Sequence, residues 1–194
     1  MILRNFDSNK HLEKVYPKSL LDILKFEEVD WGREKILGRG DFLKRTNLPF
    51  YNALKSNYNS EELMWKAVYD LYKSRLNVVA KFLSDNNANF ILGSDTPAMN
   101  MVTKPPGYNG YLEMIHMYEA SIALETIFRA ATFNNAKVFH LESFYGGVEK
   151  DKIANLLILR SNPLSSITAY NNIELVIIGG RIVQREKLSA TNIK

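Results

Sequence analysis

The sequence of 194 residues predicts an α/β fold that ends in a small accessory β layer. Residues 59–85 show the periodicity of a long amphipathic helix, and the short apolar run "FILG" at Phe90–Gly93 is typical of a buried strand. Further along, two apolar runs flank Gly179-Gly180, which predicts a β-hairpin with a two-residue turn. This order of helix, strand, loop, further helices and hairpin indicates one βα step followed by a separate β unit.

The helix predicted over residues 59–85 opens with Asn59 or Ser60 as its N-cap, and two glutamates follow in its first turn. Its apolar residues recur at three- and four-residue spacing on one face, which we expect to pack on a sheet: Leu63, Val68, Leu71, Tyr72, Leu76, Val79, Phe82 and Leu83. Residues 1–58 are expected to be irregular, apart from a short helix at Ser19–Phe26. The strand at Phe90–Gly93 does not alternate, so we expect it to be covered on both faces, as in a parallel sheet.

A long loop is predicted over Thr96–Gly110, because two adjacent prolines and two glycines interrupt regular structure there. Two or three helices follow, in "YLEMIHMYEA", in "ALETIFRAAT" with Ser121 as its cap, and a short third one in "NNAKVFHL". The strands predicted after them are "ANLLILR" and "IELVIIGGRIVQR", and both Gly179 and Gly180 are expected to adopt positive φ.

The composition of the chain argues against several kinds of partner and site. The net charge is +4 without a basic stripe interleaved with aromatics, so nucleic acid is not an expected partner. The absence of cysteine excludes disulfides and thiolate metal sites. No apolar run reaches the 18–20 residues or so of a membrane span, and no secretory signal is visible, so a cytoplasmic protein without a membrane partner is expected.

Asp95 is the first candidate for chemistry, since it directly follows the predicted strand. In parallel α/β folds, catalytic residues lie at the C-terminal ends of strands. A carboxylate there can bind a metal ion or accept a proton from a metal-bound water. The alternative is a structural aspartate, because Asp-Thr-Pro is also favourable turn chemistry.

Other residues give weaker signals. Tyr108 and Asn109 lie between two glycines, where they either contact a substrate or close a turn. Ser94 is not part of a Gly-x-Ser-x-Gly nucleophile motif. Three histidines occur, but neither His-x-His nor His-Glu-x-x-His is present, so no self-contained zinc site is predicted: His11, His116 and His140.

Taken in order, five motifs resemble the C-terminal part of the metal-dependent amidohydrolases, most closely the imidazolonepropionase-like branch. The motifs are "FILGSDTP", "PPGYNGYLEM", "IALETIFRAATFNNAKVFHL", "YGGVEKDKIANLLILRSNPL" and "IELVIIGGRIV", and they run from about residue 89 to residue 185. The resemblance implies that Asp95 follows strand eight of a TIM-like (β/α)8 barrel, binds a catalytic metal and moves a proton.

The same resemblance implies a division of the chain. Residues 1–145 would be a partial barrel, with residues 1–58 irregular and residues 59–145 forming its last strand and helices. Residues 146–194 would contribute strands to a small β-sandwich. A chain of 194 residues is too short for a complete (β/α)8 barrel, which takes about 250.

The sequence also departs from this family. The histidine pair of strand one, the lysine or glutamate of strand four and the histidines of strands five and six have no counterpart, and Asp151–Asn155 replaces the usual Gly-Lys-Arg-Ala-Asp. Because catalytic zinc takes three protein ligands, Asp95 alone should not hold a metal ion tightly. We therefore expect this chain to be inactive alone. The complete enzyme would use a divalent metal ion, which we expect to be zinc, to hydrolyse a non-peptide or cyclic amide bond.

Three explanations of the missing ligands remain open at this point. The chain is a fragment of a longer protein, or a subunit of a split enzyme whose N-terminal half or partner chain supplies the histidines. The third explanation is a non-catalytic structural or binding module. A small amide-like molecule is the expected substrate, and a homo-oligomer is compatible with the sequence.

Overall fold

The computed structural model describes Lys18, residues 41–94 and residues 107–188, except for the side chains of Tyr69, Arg185 and Glu186. The predicted helix at Ser19–Phe26 lies outside these residues.

Helices dominate the first described segment. Residues 41–46 are helical, and α1 (Leu48–Lys55) follows, although irregular structure was predicted up to residue 58. The long helix is confirmed as α2 (Glu61–Asp85), and the Ser60 side chain caps it by accepting a hydrogen bond from the Leu63 amide.

A second helical layer follows in residues 108–138. It consists of α3 (Tyr108–Glu119), α4 (Leu124–Arg129), a π turn (Ala130–Asn134) and α5 (Asn135–Val138). The last three run on without a break, because the residues at both junctions keep helical backbone angles. The π turn has no counterpart in the sequence-based prediction, which divided this stretch into two ordinary helices.

Ser121 was predicted to cap the second of these helices, and this prediction is wrong. The N-cap is Ala123, which makes no side-chain capping bond. Ser121 instead has a φ of +64° and donates its amide to the Tyr118 carbonyl, 2.9 Å away, at the end of α3. The serine therefore ends one helix rather than starting the next.

The sheet confirms the predicted hairpin. Strands β1 (Leu156–Leu159), β2 (Ile173–Ile178) and β3 (Arg181–Val183) form an antiparallel sheet in the order β1-β2-β3. Gly179 and Gly180 connect β2 to β3 with φ values of +55° and +77°. Two positive φ angles are what a type I′ turn requires, and glycine adopts them without a steric penalty.

The core lies in the helical layer. Its buried residues come from α3, the turn that follows it, α4 with its π turn, and a short 3₁₀ helix at Ile167–Asn171: Met114, Met117, Ala120, Ile122, Ile127, Ala130 and Ile167. Phe90 and Leu92 pack against this cluster, and so does Ala80 of α2. The segment that precedes Asp95 is thus part of the core.

One face of α2 is not covered in the described structure. Seven of its apolar side chains are between 43% and 64% exposed: Leu63, Leu71, Tyr72, Leu76, Val79, Phe82 and Leu83. The prediction that this face packs on a sheet is wrong for the described residues, because its side chains remain exposed. The sheet that these residues form consists of strands between residues 156 and 183. None of the described helices has the length and apolar character needed to cross a lipid bilayer.

Gly146 allows a close approach between the helical layer and the chain that leads to the sheet. Its φ is +87°, and a Cβ atom there would lie 2.7 Å from the Ala136 Cβ and 3.0 Å from the Phe133 Cα. Gly179 also has positive φ, but a Cβ atom there would meet nothing within 4 Å.

We expect Gly146→Ala to lower the free energy of unfolding by about 2–4 kcal/mol, because it adds overpacking to backbone strain. Gly179→Ala, the matched control, adds strain alone and should cost about 1–2 kcal/mol. Urea unfolding measures both. Equal losses in the two variants would contradict the close packing at Gly146.

Candidate functional site

The candidate site is the end of the extended segment Phe90–Ser94, which leads directly to Asp95 in the sequence. The sequence predicted a strand covered on both faces. The segment has no strand partner among the described residues, and its burial alternates: Phe90 and Leu92 pack on the core, whereas Ile91 is 42% exposed. Only one face is therefore covered in the described structure.

Asparagine side chains replace a neighbouring strand along one edge of this segment. Asn135 Oδ1 accepts the Leu92 amide at 3.1 Å, and Asn135 Nδ2 donates to the Leu92 carbonyl at 3.0 Å. The side-chain amide thus pairs with both polar groups of one residue, as the backbone of a neighbouring strand does. The Leu92 amide is shared with the Ala130 carbonyl at 3.2 Å, and Asn134 Nδ2 donates to the Phe90 carbonyl at 2.9 Å.

A third asparagine holds the end of the segment. Asn109 is only 5% exposed, and its Nδ2 donates to the Ser94 carbonyl at 2.8 Å. Asn109 lies in the first turn of α3. This helix begins directly after its N-cap Gly107, which has a φ of +81°. Ser94 and α3 are therefore joined by a hydrogen bond, although residues 95–107 separate them in the sequence.

The two edges of the segment differ in their hydrogen bonding. In an extended chain, the amide and carbonyl of one residue point to the same edge, and those of the next residue point to the opposite edge. The asparagines bind Phe90, Leu92 and Ser94, so they occupy one edge. Ile91 and Gly93 face the other edge, where they make no backbone hydrogen bond to the described residues.

The predicted site residues are placed as follows. Asp95 lies outside the described residues, as does most of the predicted loop Thr96–Gly110. Asn109 is buried against Ser94, and Tyr108 is partly buried, with its ring 5.8 Å from the Tyr111 ring. Roles for Tyr108 and Asn109 in substrate binding stay predictions.

The surroundings of Tyr111 raise the pKa of its phenol group. Burial is the main cause that raises the pKa of Tyr111, and the nearby Tyr108 raises it further. Both effects oppose the charged form, so Tyr111 is a neutral phenol at pH 7 and acts there as a hydrogen-bonding group rather than as an anion.

Neither of the described histidines, His116 and His140, forms a hydrogen bond to the segment Phe90–Ser94. His116 Nδ1 is 3.2 Å from Glu119 Oε2, an oxygen that also accepts a hydrogen bond from Lys73 Nζ at 3.0 Å. Lys73 is the main cause that lowers the pKa of Glu119, so this carboxylate is charged at neutral pH and links α2 to α3. His140 follows α5 with a φ of +57°. His11 lies outside the described residues.

Metal binding requires a cluster of donors. Within residues 41–94 and 107–188, no group of three or more histidine, cysteine, aspartate or glutamate side chains is arranged to hold a metal ion. The described residues therefore do not fit a catalytic metal by themselves, since zinc takes three protein ligands in such sites.

Sequence analysis missed Asn134 and Asn135. The signal was present as two adjacent asparagines inside an otherwise apolar helical stretch, where their side chains need hydrogen-bond partners once they are partly buried. Their common target could not be read from the sequence, because it depends on the π turn. The wider turn reduces the angle between successive side chains, and here both reach the same segment.

Three solved structures are similar to parts of this chain. A molinate hydrolase is 24% identical over 42% of this chain and 18% of its own, with a TM-score of 0.41. A protein assigned as a prolidase from Bifidobacterium longum is 29% identical over 55% and 26%, with a TM-score of 0.49. A Xaa-Pro dipeptidase with methionine in its active site is 18% identical over 77% and 33%, with a TM-score of 0.49.

The chain thus spans between 18% and 33% of the length of these solved chains. No curated protein sequence matches it. The model of the amidohydrolase family, by contrast, matches residues 47–183, which is more than half of the chain and includes both the helical layer and the sheet. Members of that family typically use divalent metals. By this match, the chain belongs to the amidohydrolase family.

Proposed function

We propose that this chain is the C-terminal part of a metal-dependent amidohydrolase, and that the complete enzyme hydrolyses an amide C–N bond of a small molecule. One observation carries the proposal: the family match covers a chain in which three buried or partly buried asparagines hold the segment that leads to Asp95. Structural aspartates in turns do not need such support, because Asp-Thr-Pro forms a turn by its local chemistry.

In this proposal Asp95 has two roles. Its carboxylate would be one ligand of a divalent metal ion and would accept a proton from the attacking water. The metal, when bound, supplies the activated water. Tyr108 and Asn109, which were predicted as the end of the loop Thr96–Gly110 and lie in the first turn of α3, would contact the substrate in this proposal. Asn109 would do so while its Nδ2 remains hydrogen-bonded to Ser94.

In this proposal the remaining metal ligands come from other polypeptide. Two features of the described residues support this part of the proposal. Ile91 and Gly93 present a strand edge without backbone hydrogen bonds to the described residues, and α2 exposes an apolar face. Both are surfaces that strands and helices of a (β/α)8 barrel would cover. We propose that an N-terminal half, in the same protein or in a partner chain, supplies them together with the histidines.

The substrate class is also a proposal. The resemblance to the imidazolonepropionase-like branch favours a cyclic or other non-peptide amide. A prolidase and a Xaa-Pro dipeptidase among the similar structures make a proline peptide bond the second candidate. Assays of the complete enzyme with a cyclic amide and with a Xaa-Pro dipeptide separate the two classes.

We expect Asp95→Asn to lower kcat of the complete enzyme by about 10³-fold or more, because the amide can neither accept the proton nor bind the metal as a carboxylate. Asp70→Asn, which alters an exposed aspartate paired with Lys66 on α2, is the control and should keep wild-type turnover. Unchanged turnover in Asp95→Asn would favour the non-catalytic module instead.

We expect the purified chain, dialysed against zinc and then against buffer, to retain zinc far below one ion per chain and to show no amidase activity. One carboxylate does not replace the three protein ligands of a catalytic site. Metal analysis and an amidase assay on the same sample measure both. One tightly bound zinc with turnover would contradict the claim that the site needs further polypeptide.

A further inference from the structure

We propose that Asn109, Asn134 and Asn135 act together as positioning residues for the strand end at Ser94, and through it for the carboxylate of the next residue. The inference rests on the catalytic role proposed for Asp95. It goes beyond that role because it assigns a task to three side chains that do not themselves react.

The first step is the pattern of contacts. The three amides bind the backbone of Phe90, Leu92 and Ser94, every second residue of the segment. Alternate residues share one edge of an extended chain, so a slip by one residue would break every one of these bonds. The asparagines therefore fix the register of the segment as well as its path.

The second step is the origin of the asparagines in two different helices. Asn134 and Asn135 come from the π turn and the start of α5, whereas Asn109 comes from the first turn of α3. α3 and α4, together with the π turn, pack on the shared core that includes Met114, Ile127 and Ala130. The end of the segment at Ser94 is thus held from two directions by helices that pack on the same core.

The third step is the match between the donors and acceptors of the asparagine side chains and the backbone groups that they bind. An asparagine side chain offers one acceptor and two donors, so Asn135 can bind both polar groups of Leu92. Apolar side chains would pack equally well but would leave these backbone groups unpaired on the core side. π turns occur often at functional sites, and here the π turn and the start of α5 each present one side-chain amide, to Phe90 and to Leu92.

Misplacement of a catalytic group by about 1 Å can cost about 100-fold in rate. Loss of a group that orients a metal ligand typically costs about 10–100-fold in metal affinity or activity. We therefore expect Asn135→Ala to lower kcat and zinc affinity of the complete enzyme by about 10–100-fold, with little change in KM. Zinc affinity is measured by competition with a chelator, independently of turnover.

Three further variants complete the experiment. Asn135→Asp keeps an acceptor for the Leu92 amide but loses the donor to its carbonyl, so it should lose kcat and zinc affinity in the same direction even if the alanine variant does not fold. Asn52→Ala changes an exposed asparagine of α1 and should behave as wild type. Asp95→Asn is assayed in parallel to test the underlying role.

The outcomes separate the two proposals. Wild-type kcat and zinc affinity in folded Asn135→Ala or Asn135→Asp, together with an inactive Asp95→Asn, would overturn the positioning role alone. A fully active Asp95→Asn would overturn the proposed function, and the positioning role with it. A loss confined to the Asn135 and Asp95 variants supports both.

Discussion

The described structure depends on how the backbone of Phe90–Ser94 finds its hydrogen bonds. A buried peptide group without a partner is costly, so an extended segment next to a core normally lies in a sheet. Here the core-side groups of Phe90, Leu92 and Ser94 are bound by asparagine side chains, and Leu92 also by the Ala130 carbonyl. Each such bond contributes about 0.5–1.5 kcal/mol net, and leaving a group unpaired would cost more than that.

The helical layer is organised around the same segment. Phe90 and Leu92 pack on the cluster that Ile127 and Ala130 help to form, so burial and hydrogen bonding act on the same residues. The sheet is tied to the chain before it by two bonds at the hairpin turn: the Gly179 amide donates to Asn155 Oδ1, and the Gly180 amide donates to the Ala154 carbonyl. The turn is therefore held from outside the hairpin as well as by its own strands.

The sequence predicted those secondary-structure elements that are determined by their own residues. Periodicity and the Ser60 cap identified α2, and the Gly179-Gly180 pair identified the hairpin, because capping and positive φ are properties of the residues themselves. Two features could not be predicted: whether other residues cover the apolar face of α2, and which groups form hydrogen bonds with the backbone of Phe90–Gly93. Both depend on residues that are distant in the chain. Asp95 was predicted as a candidate from its place after an apolar run, whereas Asn134 and Asn135 were recognised only from the structure, which contains the π turn.

Amide hydrogen exchange along Phe90–Ser94 in the purified chain shows whether asparagine side chains hold this segment in place of a neighbouring strand. The Leu92 amide is bound by Asn135 and Ala130, while the Gly93 amide faces the edge without described backbone bonds. Bound amides exchange only when the structure opens. We predict that the Leu92 amide exchanges at least about tenfold more slowly than the Gly93 amide, after correction for intrinsic rates, and that Asn135→Ala reduces the difference. Equal corrected rates at Leu92 and Gly93 in the wild-type chain would contradict it.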